Sequence, residues 1–194
     1  MQSIVFATRN PGKIQEVRQL LSDKVEILGL EDINCEEVLP ETRPTIAGNA
    51  LEKAQFVHNN YKVDCFSEDS GLEVEALNDE PGVYSARYAG PAHDDEANMS
   101  LLLANLKGIE EREARFRTVI ALILDGKEHT FEGTVEGHII HHKKGRNGFG
   151  YDPIFMPEGH NRTFAQMSPE EKNEISHRGK AVRKLIDFLA QQLG

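Results

Sequence analysis

Two acidic residues, Glu68 and Asp69, stand side by side and are followed by Ser70 and Gly71. They come directly after residues 65–67, which read as the end of a buried strand. A carboxylate carried there can hold a hard cation or act as a general base toward water. Successive strand residues point to opposite faces, so one of the two is enough for that chemistry. A tight turn uses the same Asp, Ser and Gly for backbone reasons. Asp-Ser-Gly is also the aspartic-protease tripeptide. That chemistry needs two carboxylates sharing a proton, so the one copy here would have to dimerise. Glu41, just before Thr42, Arg43 and Pro44, and Lys53 read as solvated surface unless the fold brings them to Asp69.

Three further groups have types suited to binding a small ligand. Thr8-Arg9-Asn10-Pro11-Gly12-Lys13 joins a strand to a helix N-terminus, where backbone N–H groups and the helix dipole attract anions. The spacing is not that of a Walker A loop, and a capped helix with a surface lysine has the same pattern. Phe149-Gly150-Tyr151-Asp152-Pro153 follows a glycine-rich loop, and an aromatic beside glycine can lie flat on a planar ligand or plug the core. Lys172 and Ser176-His177-Arg178 fall near the start of the last helices. Fixed Lys and Arg donors suit a carbonyl acceptor such as a purine O6, though cations near helix ends are commonplace.

The elements that must position these residues alternate between strands and helices, which predicts α/β architecture. Residues 3–7 read as a buried first strand. Asn10 caps a helix with Pro11 at its first position and Ile14, Val17, Leu20 and Leu21 on one face. Residues 25–28 and 36–39 are short strand candidates. Residues 45–60 read as a helix with Ala47, Ala50, Leu51, Ala54 and Val57 on one face. Residues 72–77 are another short strand candidate, and 94–106 a helix. Residues 116–124, the turn Asp125-Gly126, and residues 129–140 form a long hairpin, which argues for a mixed sheet. Residues 143–150 are a loop. Ser168-Pro169-Glu170-Glu171 has capping-box spacing, and Ala181, Val182, Leu185, Ile186 and Leu189 stripe a last helix.

The 194 residues are of a length for one domain with a core of its own. Twenty-two basic against thirty-two acidic residues give a net charge of −10, which repels a nucleic-acid backbone at long range. Cys35 and Cys65 rule out a disulfide scaffold and a four-thiolate metal site, and they read as free thiols in a reducing compartment. The longest apolar run, residues 119–124, is too short to span a membrane. A cytoplasmic protein is expected, with no export segment.

Seven ordered blocks resemble the inosine triphosphate pyrophosphatase family, the XTP/dITP diphosphatases. They are ATRNPGK (7–13), ETRPTIAGNALEKA (41–54), SEDSGLEVEAL (67–77), PGVYSARYAG (81–90), RFRTVIAL (115–122), NGFGYDPIF (147–155) and SPEEKNEISHRGKA (168–181). The resemblance implies one pyrophosphatase domain over residues 1–194. Its fold would be an elongated mixed β-sheet flanked by helices, with two lobes around a central nucleotide cleft. The implied reaction cleaves ITP, dITP or XTP between the α and β phosphates, giving the monophosphate and pyrophosphate, with Mg²⁺ as cofactor. Asp69 would bind the metal and activate water, with Glu41 and Glu68 as further metal ligands. Thr8, Asn10 and Lys13 would hold the triphosphate within the substrate-binding stretch that includes Arg9, Pro11 and Gly12. Lys53 would assist, and Ser70 would touch the substrate. Phe149 would stack on the purine, with Gly150, Tyr151 and Asp152 completing that wall. Lys172, His177 and Arg178 would read the keto oxygens. A homodimer is implied, with a small-molecule nucleoside triphosphate as ligand and neither nucleic acid nor membrane as partner. Glu68 stands where many members carry Asp, and Arg9 where glycine is frequent.

Overall fold

The computed structural model describes residues 2–11, 13, 14, 17, 18 and 25–193, except the side chain of residue 193. Gly12, Leu20 and Leu21 of the sequence reading lie outside the described residues. The elements are β1 (Gln2–Phe6), β2 (Val25–Leu28), α1 (Ile46–Tyr61), β3 (Cys65–Val74), β4 (Glu80–Pro81), α2 (Asp95–Asn105), β5 (Glu113–Leu124), β6 (Lys127–Ile139), β7 (Phe155–Pro157), α3 (Pro169–Ile175) and α4 (His177–Leu193). Short 3-10 turns join several of them. The strands form a mixed seven-stranded sheet in the order β2-β1-β3-β5-β6-β7, with β4 on β3. β1 pairs parallel with β2 and β3, whereas β3–β4 and β6–β7 are antiparallel.

The chain divides into two compact units: residues 1–69, 119–132 and 181–194, and residues 70–118 and 133–180. In the first unit Phe66 stacks on Phe6 at 4.4 Å and joins Ile4, Ile120, Leu122, Leu185 and Leu189 in one core. Its neighbours Cys65 and Ser67 point the other way and donate to the carbonyls of Ala54 and Ala50 on α1. The second core gathers Leu72, Val74, Leu102, Phe116, Phe155 and Phe164.

Local sequence explains most of these elements. Thr45 caps α1 by accepting the Gly48 N–H at 3.0 Å, and Lys62 ends it in the left-handed region. The buried stripe of α1 carries two polar residues, Asn49 and Lys53, among Ile46, Ala50, Ala54 and Val57. Asp125 and Gly126 both have positive φ, the geometry of a tight hairpin turn. Ser168 and Glu171 close the expected capping box. Along β6, the carbonyls of Glu132, Thr134 and Glu136 accept from Lys184 Nζ, Lys180 Nζ and the Glu158 N–H.

Two expectations are corrected. Residues 36–39 are not a strand: Val38 is 86% exposed, and the Cys35 and Glu37 carbonyls accept from Arg9. Residues 65–67 and 72–77 are not separate short strands around a turn. β3 runs unbroken through Glu68-Asp69-Ser70-Gly71, so pairing in the sheet overrides local turn propensity.

Candidate active site

Strand alternation sorts the two acids of β3. Glu68 shares the parity of Phe66 and meets Lys13 at 2.5 Å; its side chain is only 3% exposed. Asp69 shares the parity of Ser67, on the side facing α1, and lies 3.5 Å from Lys53. Lys53 Nζ also donates to Glu41 at 2.8 Å and to the Glu68 carbonyl at 2.9 Å. The first unit thus brings Glu41 and Asp69 to one ammonium and gives Glu68 a different one. The two polar interruptions of the α1 stripe serve this arrangement. Lys53 is its centre, and Asn49 accepts the Arg43 N–H at 2.8 Å next to Glu41.

The loop after β1 belongs to the same unit. The Ala7 N–H donates to the Phe66 carbonyl at 2.8 Å, so β1 ends beside the start of β3, just before Glu68 and Asp69. Thr8 Oγ1 accepts the Asn10 N–H at 3.2 Å, and Asn10 Oδ1 accepts the Lys13 N–H at 3.3 Å, capping the helix that Pro11 begins. Arg9 reaches the carbonyls of Cys35 at 3.0 Å and Glu37 at 2.8 Å, a bracing position that the sequence reading missed.

Among the described residues, no group of three or more His, Cys, Asp or Glu side chains could hold a metal ion. The donor set still fits Mg²⁺. That ion takes one or two carboxylates, keeps several waters and completes its shell with phosphate oxygens. Glu41 and Asp69 supply two carboxylates. Counting Glu68, three carboxylates meet the ammonium groups of Lys13 and Lys53.

The second unit holds a cavity of about 140 Å³. Leu72, Phe116 and Tyr151 give it apolar walls; Ser70, Asp152, Lys172, His177 and Arg178 add polar groups. That mixture characterises small-molecule sites. Lys172 Nζ donates to Asp152 Oδ2 at 2.6 Å and lies 4.7 Å from the centre of the Phe149 ring, with Arg178 at 5.7 Å. Both distances are within cation–π range. Burial pushes the Asp152 carboxyl above the usual carboxylate range, against the pull of Lys172. A Cβ at Gly148, which has φ +75°, would run into Asp152 Oδ2, so this turn requires glycine. His177 lies parallel to Phe116 at 4.8 Å and is 7% exposed. The break at Ser176, which ends α3 and accepts the Gly179 N–H, turns Lys172 and Arg178 toward one cavity.

Some residues here escaped the sequence reading. Thr118 shares a hydrogen bond of 2.6 Å with Ser70; its one signal is a polar residue inside an apolar strand. Ser85 accepts the Leu72 N–H at 2.8 Å, and its carbonyl accepts from the Tyr151 hydroxyl at 2.7 Å. Asp95 lines the cavity, and as an acid in the first turn of a helix it carries no distinguishing signal. The thiols stay inert: both cysteines are free and buried, and burial pushes Cys65 up to about 12.

The family model described as the Ham1 family matches residues 4–188. The chain belongs to the Ham1 family. It is 54% identical over 190 residues to a protein of Porphyromonas gingivalis named dITP/XTP pyrophosphatase, covering 97% of this chain and 98% of that one. A Bacillus subtilis protein of the same name is 42% identical over 97% of this chain and 98% of its own. The structure of the Staphylococcus aureus Ham1 protein superposes with a TM-score of 0.94 at 41% identity, covering 98% of this chain and all of that one. The Ham1 relationship therefore extends over both compact units, and it agrees with the mixed α/β sheet expected from the sequence.

Proposed function

We propose that this chain is a nucleoside-triphosphate pyrophosphatase that hydrolyses ITP, dITP and XTP to the monophosphate and pyrophosphate. The observation that carries the reading is on β3. Asp69 belongs to the carboxylate–lysine group, and the next residue, Ser70, lines the cavity flanked by Phe149, Lys172 and Arg178. Relatives named dITP/XTP pyrophosphatase along nearly their whole length support it. The chain is read as a single pyrophosphatase domain over residues 1–194.

Thr8, Asn10 and Lys13 bind the triphosphate, with the stretch of Pro11 and Gly12 between them. Arg9 supports the loop from behind. Lys53 orients Glu41 and Asp69, which would hold Mg²⁺, while Glu68 fixes Lys13. Mg²⁺ held there would supply positive charge to offset that of the phosphoryl oxygens. Asp69 takes a proton from the attacking water. Phe149 stacks on the purine beside Gly150 and Tyr151, and Lys172 and Arg178 donate to O6, with His177 packed behind them. Adenine presents an amino donor at that position instead of an acceptor for Lys172 and Arg178, a mismatch that a site built on polar pairing rejects. The enzyme works in the cytoplasm as a homodimer. Nucleic acid is not its partner, in keeping with a net charge of −10.

The test is pyrophosphate release from ITP, XTP, GTP and ATP, with and without magnesium. Magnesium-dependent release from ITP and XTP, with little from ATP, is expected. Equal release from all four overturns the account of Lys172 and Arg178, and no release overturns the activity itself.

A further inference from the structure

Phe149 is an exposed aromatic, 59% accessible, yet its backbone is fixed on both sides. The Phe149 N–H donates to Asp152 Oδ2 at 3.2 Å. The next N–H, that of Gly150, donates to Asp95 Oδ2 at 2.8 Å, across 55 residues of sequence. Those two peptides determine φ and ψ of Phe149, and so where its ring stands. Asp152 lies in the same turn as Phe149, and its own N–H returns to the Phe149 carbonyl at 3.2 Å. Asp95 comes from another element, the first residue of α2. Asp94 does the capping there, accepting the Ala97 N–H at 3.1 Å, which leaves Asp95 directed at the loop. The next residue, Glu96, pairs with Lys143 at the loop's other end.

We propose that Asp95 is a positioning residue for the base-stacking ring: it fixes the Phe149–Gly150 peptide so that Phe149 is set in its stacking position before a nucleotide arrives. The inference rests on the proposed base site. Preorganisation of this kind acts on binding rather than on phosphoryl chemistry. A carboxylate acceptor makes the tie stronger than a neutral one, and asparagine keeps an oxygen in the same place. Losing the tie leaves the Phe149–Gly150 peptide held only through its carbonyl, by the Asp152 N–H at 3.2 Å, so ψ of Phe149 loosens and stacking must then offset the entropy of ordering that residue.

The experiment compares steady-state ITP hydrolysis and melting temperature for the native protein, Asp95→Ala, Asp95→Asn and Phe149→Ala. Asp95→Ala is expected to raise KM about tenfold with kcat little changed, and Asp95→Asn to return KM most of the way. Asp95→Glu, whose acceptor sits one methylene further out, raises KM as Asp95→Ala does, and it replaces that variant if alanine lowers the melting temperature. The proposal is overturned if Asp95→Ala keeps a native KM while Phe149→Ala raises it, or if Asp95→Asn is as impaired as alanine. A native KM in Phe149→Ala overturns the base site itself, and the two failures are thereby distinguished.

Discussion

Lys53 tests whether the carboxylate–lysine group of the first unit supports the fold as well as the chemistry. Lys53→Met keeps an unbranched stem and removes the charge. The Glu68 carbonyl loses a donor at 2.9 Å. That loss costs about 1 kcal/mol in a buried setting. Asp69, with 16% of its side chain exposed, loses a counter-charge at 3.5 Å. In an intermediate dielectric, and after solvent screening, that is worth about 1–2 kcal/mol. Glu41 is 40% exposed and contributes little although it is closer, at 2.8 Å. Methionine recovers part of the loss by removing the ammonium's own desolvation cost. The net is about 2 kcal/mol, which for a chain of this length lowers the melting temperature by roughly 4–8 °C. Differential scanning calorimetry of native protein, Lys53→Met and Glu41→Gln near neutral pH reads it directly. Glu41→Gln is expected within about 2 °C of native. A Lys53→Met variant that melts with the native protein refutes the claim that its contacts outweigh its desolvation. A Glu41→Gln shift as large as that of Lys53→Met refutes the ordering by exposure.

Asp69→Asn lowers pyrophosphate release about 10²- to 10⁴-fold without unfolding the chain; near-native turnover removes Asp69 from both the base and the metal roles. Lys172→Ala lowers the kcat/KM ratio of ITP over ATP by roughly tenfold, and an unchanged ratio places base recognition elsewhere. Asp152 predicts a pH effect with a definite sign. Its folded pKa is raised by burial, so the native state favours the protonated acid, and stability falls as pH rises from the ordinary Asp range through the raised value. Asp152→Asn removes that fall. Urea unfolding of both proteins across the acid range checks it, and parallel stability curves would count against the burial argument.

Long periodic segments were legible in the sequence because their signals are local. The α1 stripe, the hairpin turn at Asp125-Gly126 and the capping box at Ser168 each depend on residues within a few positions. β3 was not, because Asp69-Ser70-Gly71 has turn chemistry and only its partners in the sheet hold it extended. Residues 36–39 failed for the converse reason: their apolar content suggested a strand, but Arg9, distant in sequence, takes the Cys35 and Glu37 carbonyls. The site residues were legible as types arranged in motifs, and the ordered blocks supplied their roles. Their partners were not legible. That Glu68 goes to Lys13 and Asp69 to Lys53 follows from strand parity once β3 is known to be continuous. Asp95 sits outside any motif, and the fold alone reveals it; Thr118 lies within the 115–122 block, but its pairing with Ser70 needs β3 and β5 side by side.

The carbonyls of Glu132, Thr134 and Glu136 along β6 are occupied from outside the strand, two of them by lysines of α4. A bare row of carbonyls is a template on which another chain can add a strand. Chains fold roughly from the N-terminus as they are made, and residues 180 and 184 follow the end of β6 at Ile139 by about 40 residues. In the nascent chain that margin stands open, and it closes only when the last helix docks. The C-terminal helix therefore covers acceptors on β6 as well as filling the core, and until it docks those acceptors are open to another strand.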